Sequence, residues 1–243
     1  MDETKMSLSV IIPVYNEEEC ISNCIDETQQ VLSDIEHEII LVNDGSSDRT
    51  DTIIRQGIQN NDNVIYLSYS TNRGYSHAIR KGLDKATKKY VSIIDADLQY
   101  HPQELLRMYH YATERNISFV IGEPEIKYYS YLRSIISHVY NTFVSLLFNI
   151  SIDDANSLKV MERKYMENIN LDRDYECINL EFLLGFHLQG IPINKIPIHV
   201  QERMAGRSKC SIGLIYRTII GNLVLKTSMN KLIKKGSSKD FVD

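Results

Sequence analysis

Along the first half of the chain, short apolar runs alternate with stretches in which apolar residues recur every three or four positions. Residues 8–14 (LSVIIPV) form a run suited to a parallel strand covered on both faces. Tyr15-Asn16-Glu17 follows, and Ile21, Ile25 and Val31-Leu32 then give a helix its buried stripe. Residues 38–42 read as a second strand, ending in the turn Asn43-Asp44-Gly45-Ser46-Ser47-Asp48, with a helix over 52–59. A third strand over 64–69 leads through the Asn72-Arg73-Gly74 turn to a helix over 75–88, carrying Ala78, Ile79, Leu83 and Ala86. A fourth strand (90–94), a helix over 103–115 entered through Pro102, and a fifth strand (118–122) complete this half. The alternation predicts an α/β fold, a mostly parallel sheet with helices on both faces.

The second half is patterned differently. Between 131 and 159, Ile136, Val139/Tyr140, Phe143, Leu147 and Ile150 recur at helical spacing as one apolar stripe. Such a helix either packs on the core or rests on a membrane surface or lipid groove. Residues 190–200 (GIPINKIPIHV) are strand-like, and 201–209 (QERMAGRSK) form a loop with Arg203, Arg207 and Lys209. From 212 to 226 apolar residues recur again, interrupted by Arg217 and Lys226, and Lys231, Lys234, Lys235 and Lys239 follow. That end of the chain reads either as an amphipathic helix whose basic tail adheres to anionic lipid, or as a frayed, solvated terminus. The stretch 134–152 carries no Asp, Glu, Lys or Arg, but polar residues from Ser137 to Asn149 break it up, so it does not read as membrane-spanning.

Composition narrows the picture. The 243 residues are 43% hydrophobic and 24% charged, ordinary for a soluble globular protein, and long enough for a substantial core. A net charge of −5 argues against a nucleic-acid binder. Cys20, Cys24, Cys177 and Cys210 contain no C-x-x-C pair, and no signal peptide is recognisable. Reduced thiols and a cytoplasmic location are therefore expected.

Candidate chemistry gathers where predicted strands end. Tyr15 and Glu17, Asp44, Gly74, and the trio Asp95, Asp97 and Gln99 each follow a strand directly. In an open parallel sheet, ligands bind beyond the carboxyl ends of the strands, so the fold would collect these residues at one edge. On an extended chain, Asp95, Asp97 and Gln99 would point the same way, offering oxygen donors suited to Mg²⁺ or Mn²⁺. No G-x-G-x-x-G fingerprint and no G-x-x-x-x-G-K-[ST] phosphate loop is present.

With these motifs in order, IPVYNEE (12–18), VNDGSSD (42–48), NRGYSHAIRKGL (72–83) and DADLQ (95–99), the chain resembles the family 2 glycosyltransferases with a GT-A fold. The resemblance implies a nucleotide-sugar site made by Pro13, Tyr15, Glu17, Asp44, Gly74, Asp95, Ala96 and Asp97, with Asp97 and Gln99 on a Mg²⁺ or Mn²⁺ ion. The loop RMAGRSK is similar to the R-x-x-G-x-S-K motif of the polyprenyl-phosphate sugar synthases, matching at Arg203, Gly206, Ser208 and Lys209. It implies an acceptor-phosphate site at Arg133, Arg203, Ser208 and Lys209, with Asp95, Asp97, Arg203 and Lys209 as the catalytic set.

The implied protein is a metal-dependent inverting glycosyltransferase moving a hexose from a UDP- or GDP-linked sugar to a polyprenyl phosphate. Its location would be cytoplasmic and peripheral on the membrane face. The alternatives are transfer to a sugar hydroxyl, with Asp174, Glu176 or Glu181 as base, and a non-catalytic nucleotide-sugar binding subunit. One GT-A domain is expected over 1–212, with a nucleotide-sugar half (7–122) and an acceptor half (123–212), followed by an amphipathic helix and basic tail (213–243). Two departures fall in the acceptor half. Gly122-Glu123-Pro124 stands where the subfamily carries a basic turn, and Asn156-Ser157-Leu158-Lys159 where it carries S-G-F-[KR].

Overall fold

The computed structural model describes residues 6–59, 61–125, 131–150, 155–171, 177–201 and 212–234, with backbone alone at 131–138 and 212–216. Among the described residues a seven-stranded sheet runs in the order β3-β2-β1-β4-β6-β5-β7. Its strands are β1 (Ser7–Val14), β2 (Glu36–Asp44), β3 (Val64–Tyr69), β4 (Tyr90–Ile93), β5 (Phe119–Pro124), β6 (Lys159–Glu162) and β7 (Asn194–Ile198). Adjacent pairs are parallel except where β6 lies antiparallel between β4 and β5. The carboxyl ends of β1, β2, β3, β4, β5 and β7 therefore share one edge, and the amino end of β6 joins them. This is the mostly parallel, mixed α/β sheet that the alternation predicts.

Pleating divides the apolar runs between two cores. Val10, Ile12 and Val14 of β1 and Ile39 and Leu41 of β2 face α1 (Ile21–Leu32), α2 (Thr50–Gly57) and α4 (Pro102–Glu114). Ile11, Ile40 and Val42 face the other way, toward α3 (Tyr75–Leu83), α5 (Tyr131–Phe148), α7 (Ile178–Leu188) and α8 (Ile212–Thr227); the short α6 (Arg163–Met166) follows β6. Pro13 is tolerated inside β1 because the β4 ladder stops at Ile11, so no strand on that side needs its missing N–H.

Several boundaries differ from the sequence reading. The third helix stops at Leu83, not at 88, because the backbone N–H and hydroxyl of Thr87 both donate to the buried Glu38 carboxylate. Lys88 N–H turns to Ser9 Oγ, which itself donates to Glu38 at 2.6 Å, so the chain is drawn out of the helix and into β4. The apolar stripe from Ile136 to Ile150 does form a helix, which ends at Phe148, where Asn149 adopts a left-handed φ of 56°. Farther on the chain makes β6 and α7, neither of which the sequence reading anticipates. No described helix is long and apolar enough to cross a membrane.

Candidate active site

The loops after β1 and β2 are laced together by their own polar residues. Asn16, left-handed at φ 51°, donates its N–H to Ser46 Oγ (2.9 Å), while its Oδ1 accepts from Ser47 N–H (2.8 Å). Glu17 N–H donates to Thr50 Oγ1 at 2.9 Å, and Glu18 Oε2 accepts from both the N–H and Nε of Arg49. Much of the Y-N-E-E and N-D-G-S-S-D signature is thus scaffold, holding Tyr15 and Glu17 half-buried at the rim. Asn43 is buried as well; its Oδ1 accepts from Ser46 N–H, and its Nδ2 donates to the Tyr66 hydroxyl at 3.0 Å. Hydrogen bonds from Arg55, then Tyr66, hold Asp51 at a pKa of about 2.

Asp44 ties in the third loop. Its carboxylate is 3% exposed and accepts Arg73 N–H at both oxygens (3.1 and 3.0 Å) and Gly74 N–H at 2.7 Å. Those amides lead into α3, so an anion at Asp44 suits the positive end of that helix. Sequence reasoning places Asp44 in the nucleotide-sugar site and gives no sign of this second duty. Beside it, His77 Nδ1 lies 3.8 Å from Asp44 Oδ1, and the ring meets Tyr69 edge-on.

The D-x-D-x-Q segment is not an extension of β4, which ends at Ile93. It is a turn closed by Leu98 at φ 56°, with that side chain 1% exposed beneath it. The expectation from strand alternation is therefore corrected: the anchored Leu98, not pleating, sets where the oxygens point. Asp97 is buried and accepts Gln99 N–H at Oδ1 (3.1 Å), while Asp95 and Gln99 are half-buried. His101 caps α4 by accepting Gln103 N–H at Nδ1, with Nε2 3.0 Å from Glu27.

No three described His, Cys, Asp or Glu side chains form a cage for a metal ion. One buried carboxylate, a neighbouring carboxylate and an amide oxygen would instead suit a hard cation that takes its remaining oxygen ligands from a substrate or water. Asp97 and Gln99 are the residues that could hold it.

A pocket opens next to Asp95, lined by Tyr75, Tyr100, Asn156, Ser157, Lys159 and Asn179 among others. Tyr75 leaves its ring flank exposed but buries its hydroxyl. That burial, reinforced by the Asp95 charge, pushes its pKa well above the usual 10. Of the acceptor-side predictions, Arg133 sits in the first turn of α5, where backbone alone is described. Arg203, Ser208 and Lys209 lie outside the described residues. Gln201, the last described residue before them, donates its N–H to Gln99 O at 2.9 Å, so this described segment ends beside the D-x-D-x-Q turn. Glu123 is exposed at the end of β5. Asp174 and Glu176 lie outside the described residues, whereas Glu181 is fully buried in α7, 3.6 Å from Arg80.

The sheet order, the antiparallel β6 and the D-x-D-x-Q turn at the β4 edge together define a GT-A fold. The glycosyl transferase family 2 model matches residues 9–166, and the chain belongs to this family. Over 218 residues it is 31% identical to the undecaprenyl-phosphate 4-deoxy-4-formamido-L-arabinose transferase of Proteus mirabilis (strain HI4320), covering 86% of this chain and 65% of that protein. The counterpart in Yersinia pestis (strain Pestoides F) is 28% identical over 216 residues, with 87% and 65% coverage. The chain thus spans about 65% of the length of these curated relatives. Among solved structures, glucosyl-3-phosphoglycerate synthase of Mycobacterium tuberculosis with Mn²⁺, UDP and phosphoglyceric acid aligns at TM-score 0.70 and 16% identity, over 95% of this chain and 81% of that one. The same enzyme with Mg²⁺ and UDP aligns at 0.69.

Proposed function

We propose that this chain transfers a glycosyl group from a nucleoside-diphosphate sugar to a polyprenyl phosphate, with inversion and with Mg²⁺ or Mn²⁺. The observation that carries the reading is the joined carboxyl edge. Loops from β1, β2 and β3 are hydrogen-bonded to one another through Asn16, Ser46 and Asp44, next in the sheet to the Asp95–Asp97–Gln99 turn. The nucleoside would lie against Pro13, Tyr15, Glu17, Asp44, Gly74 and Ala96, and Asp95 would orient the ribose or the sugar. A cation at Asp97 and Gln99 would neutralise charge on the departing nucleoside diphosphate.

The acceptor phosphate oxygen attacks the anomeric carbon as the bond to the diphosphate breaks. A phosphate monoester is already anionic at neutral pH, with a second pKa of about 6, so positioning and charge neutralisation suffice without a protein base. Arg133, Arg203, Ser208 and Lys209 are assigned to that phosphate. The curated relatives transfer a substituted arabinose to undecaprenyl phosphate, which supports the acceptor and widens the donor class beyond the hexoses.

The site would work from the cytoplasmic membrane face. Val139 and Leu146 on α5 and Ile219 and Leu223 on α8 are exposed, and Leu146 is 80% so. The two helices touch, with Asn222 Nδ2 on the Tyr140 hydroxyl and Lys226 over the Phe148 ring. Apolar side chains beside cations suit a lipid headgroup boundary.

The test offers a panel of UDP- and GDP-sugars with Mn²⁺ to undecaprenyl phosphate in detergent, with mass-spectrometric detection. A mono-phosphate-linked glycolipid is expected. Transfer only to sugar hydroxyls would replace this reading with polysaccharide or glycolipid assembly, and nucleotide binding without turnover would make the chain a binding subunit.

A further inference from the structure

The pocket next to Asp95 contains a run of polar contacts that the chemistry above does not use. Lys159, at the start of β6, is only 3% exposed, and a buried ammonium needs partners. It donates to Ser157 O at 2.6 Å and to Asn179 Oδ1 at 3.3 Å. Asn179, in the first turn of α7, donates from Nδ2 to Asn156 Oδ1 at 3.0 Å and also bonds the Tyr75 hydroxyl. That hydroxyl bonds Asp95 in turn.

The directions follow from the donor inventory. A carboxylate only accepts, so the single phenolic proton goes to Asp95, and Tyr75 must accept from Asn179. Asn179 then uses both amide protons, on Asn156 and Tyr75, while its oxygen takes a proton from Lys159. Every donor between the ammonium and the carboxylate points the same way, an arrangement in which each bond polarises the next. Farther along the same two helices, Arg80 of α3 meets the fully buried Glu181 of α7 at 3.6 Å, which fixes the spacing between Tyr75 and Asn179.

We infer that Tyr75, Asn179 and Lys159 are a positioning relay that holds the Asp95 carboxylate in the orientation needed to engage the glycosyl portion of the donor. The inference rests on the transferase reading above and adds residues to it. Tyr75 touches Asp95 from α3 and Asn179 touches Tyr75 from α7. Two helices and β6 thereby set one rotamer at the end of β4, and neither Tyr75 nor Asn179 is required to contact the reacting atoms.

The experiment compares wild type, Tyr75→Phe, Asn179→Ala and the double variant. The donor is whichever of UDP-glucose, UDP-N-acetylglucosamine and GDP-mannose the wild type turns over fastest with Mn²⁺, and undecaprenyl phosphate is the acceptor. Misplacing a reacting partner by an ångström costs up to roughly 100-fold, so each single variant should lose about 10- to 100-fold in kcat. Donor KM, Mn²⁺-dependent affinity for the free nucleoside diphosphate and the midpoint of thermal unfolding should stay near wild type. Because both residues act through one carboxylate, the double variant should fall no lower than the worse single one.

Unchanged kcat, or losses that multiply in the double variant, would overturn the relay. So would a kcat loss matched by weaker binding of the free nucleotide and a lower unfolding midpoint, since that is general loosening of the fold. A wild type that binds no nucleotide with Mn²⁺ and turns over no donor would instead remove the transferase reading, and the relay with it.

Discussion

The joining of three loops into one edge depends on Gly45, and replacing it with alanine tests that dependence. Gly45 has φ +75°, and a Cβ added there would sit 2.5 Å from Thr71 C and 2.6 Å from Asn72 N. Both are backbone atoms, so no side-chain rotation relieves the contact. A left-handed conformation costs a non-glycine residue roughly 1–2 kcal/mol, and overpacking typically adds about 1–3 kcal/mol. The sum, about 2–5 kcal/mol, is a large part of a typical stability of roughly 5–15 kcal/mol.

Gly190 is the internal control. Its φ is +72°, yet nothing lies within 4 Å of the added Cβ, so Gly190→Ala should cost only the conformational share, about 1–2 kcal/mol. Urea unfolding of both variants, read by circular dichroism, gives the difference directly. Gly45→Ala should also displace Thr71 and Asn72, which adjoin the Arg73 and Gly74 amides on Asp44, and so weaken Mn²⁺-dependent UDP or GDP binding by calorimetry. Gly190→Ala should leave binding intact. Equal destabilisation by the two substitutions, or normal nucleotide affinity in Gly45→Ala, would refute the reasoning.

His77 gives a pH prediction. Burial pushes its pKa below the usual 6.5, with Asp44 opposing and Arg73, Lys81 and Arg80 reinforcing the depression. The unfolded chain therefore takes up a proton that the native chain refuses. The stability involved is fully present above about pH 6.5 and declines as pH falls through that value toward the native pKa. Unfolding midpoints measured from pH 7.5 to 5 should fall less steeply in His77→Gln, and identical slopes would contradict this. At the α5–α8 face, Val139→Asp with Leu146→Asp should reduce flotation with anionic-lipid vesicles without changing the unfolding midpoint; flotation equal to wild type would remove the membrane reading.

The strands of the first half were legible because β1 through β4 are dense in Val, Ile and Leu and are bounded by turn residues. Two elements of the second half were not, for opposite reasons. β6 is four residues long and carries a buried Lys159 and Glu162 at its ends, which read as surface. α7 is buried from Leu180 to Phe186, so it has no polar face to give it a period. At the site, motif order identified the family but not the geometry. Pleating suggested that Asp95, Asp97 and Gln99 align, whereas a buried left-handed Leu98 turns the chain, and no local pattern announces that. The holding of Arg73 and Gly74 by Asp44, and of Tyr75 by Asn179, joins residues far apart in sequence, which only the assembled sheet brings together.

The most direct test of the account is Mn²⁺-dependent release of nucleoside diphosphate from a nucleotide sugar in the presence of undecaprenyl phosphate, wild type against Asp97→Ala. Asp97 is buried at the turn and bonded to Gln99 N–H, so circular dichroism must first establish that the variant is folded. The account predicts release by wild type that stops when Mn²⁺ is chelated and falls by at least about 100-fold in Asp97→Ala, the scale of losing one electrostatic stabiliser of the leaving group. Release that persists undiminished in the folded variant, or in chelator, would contradict it.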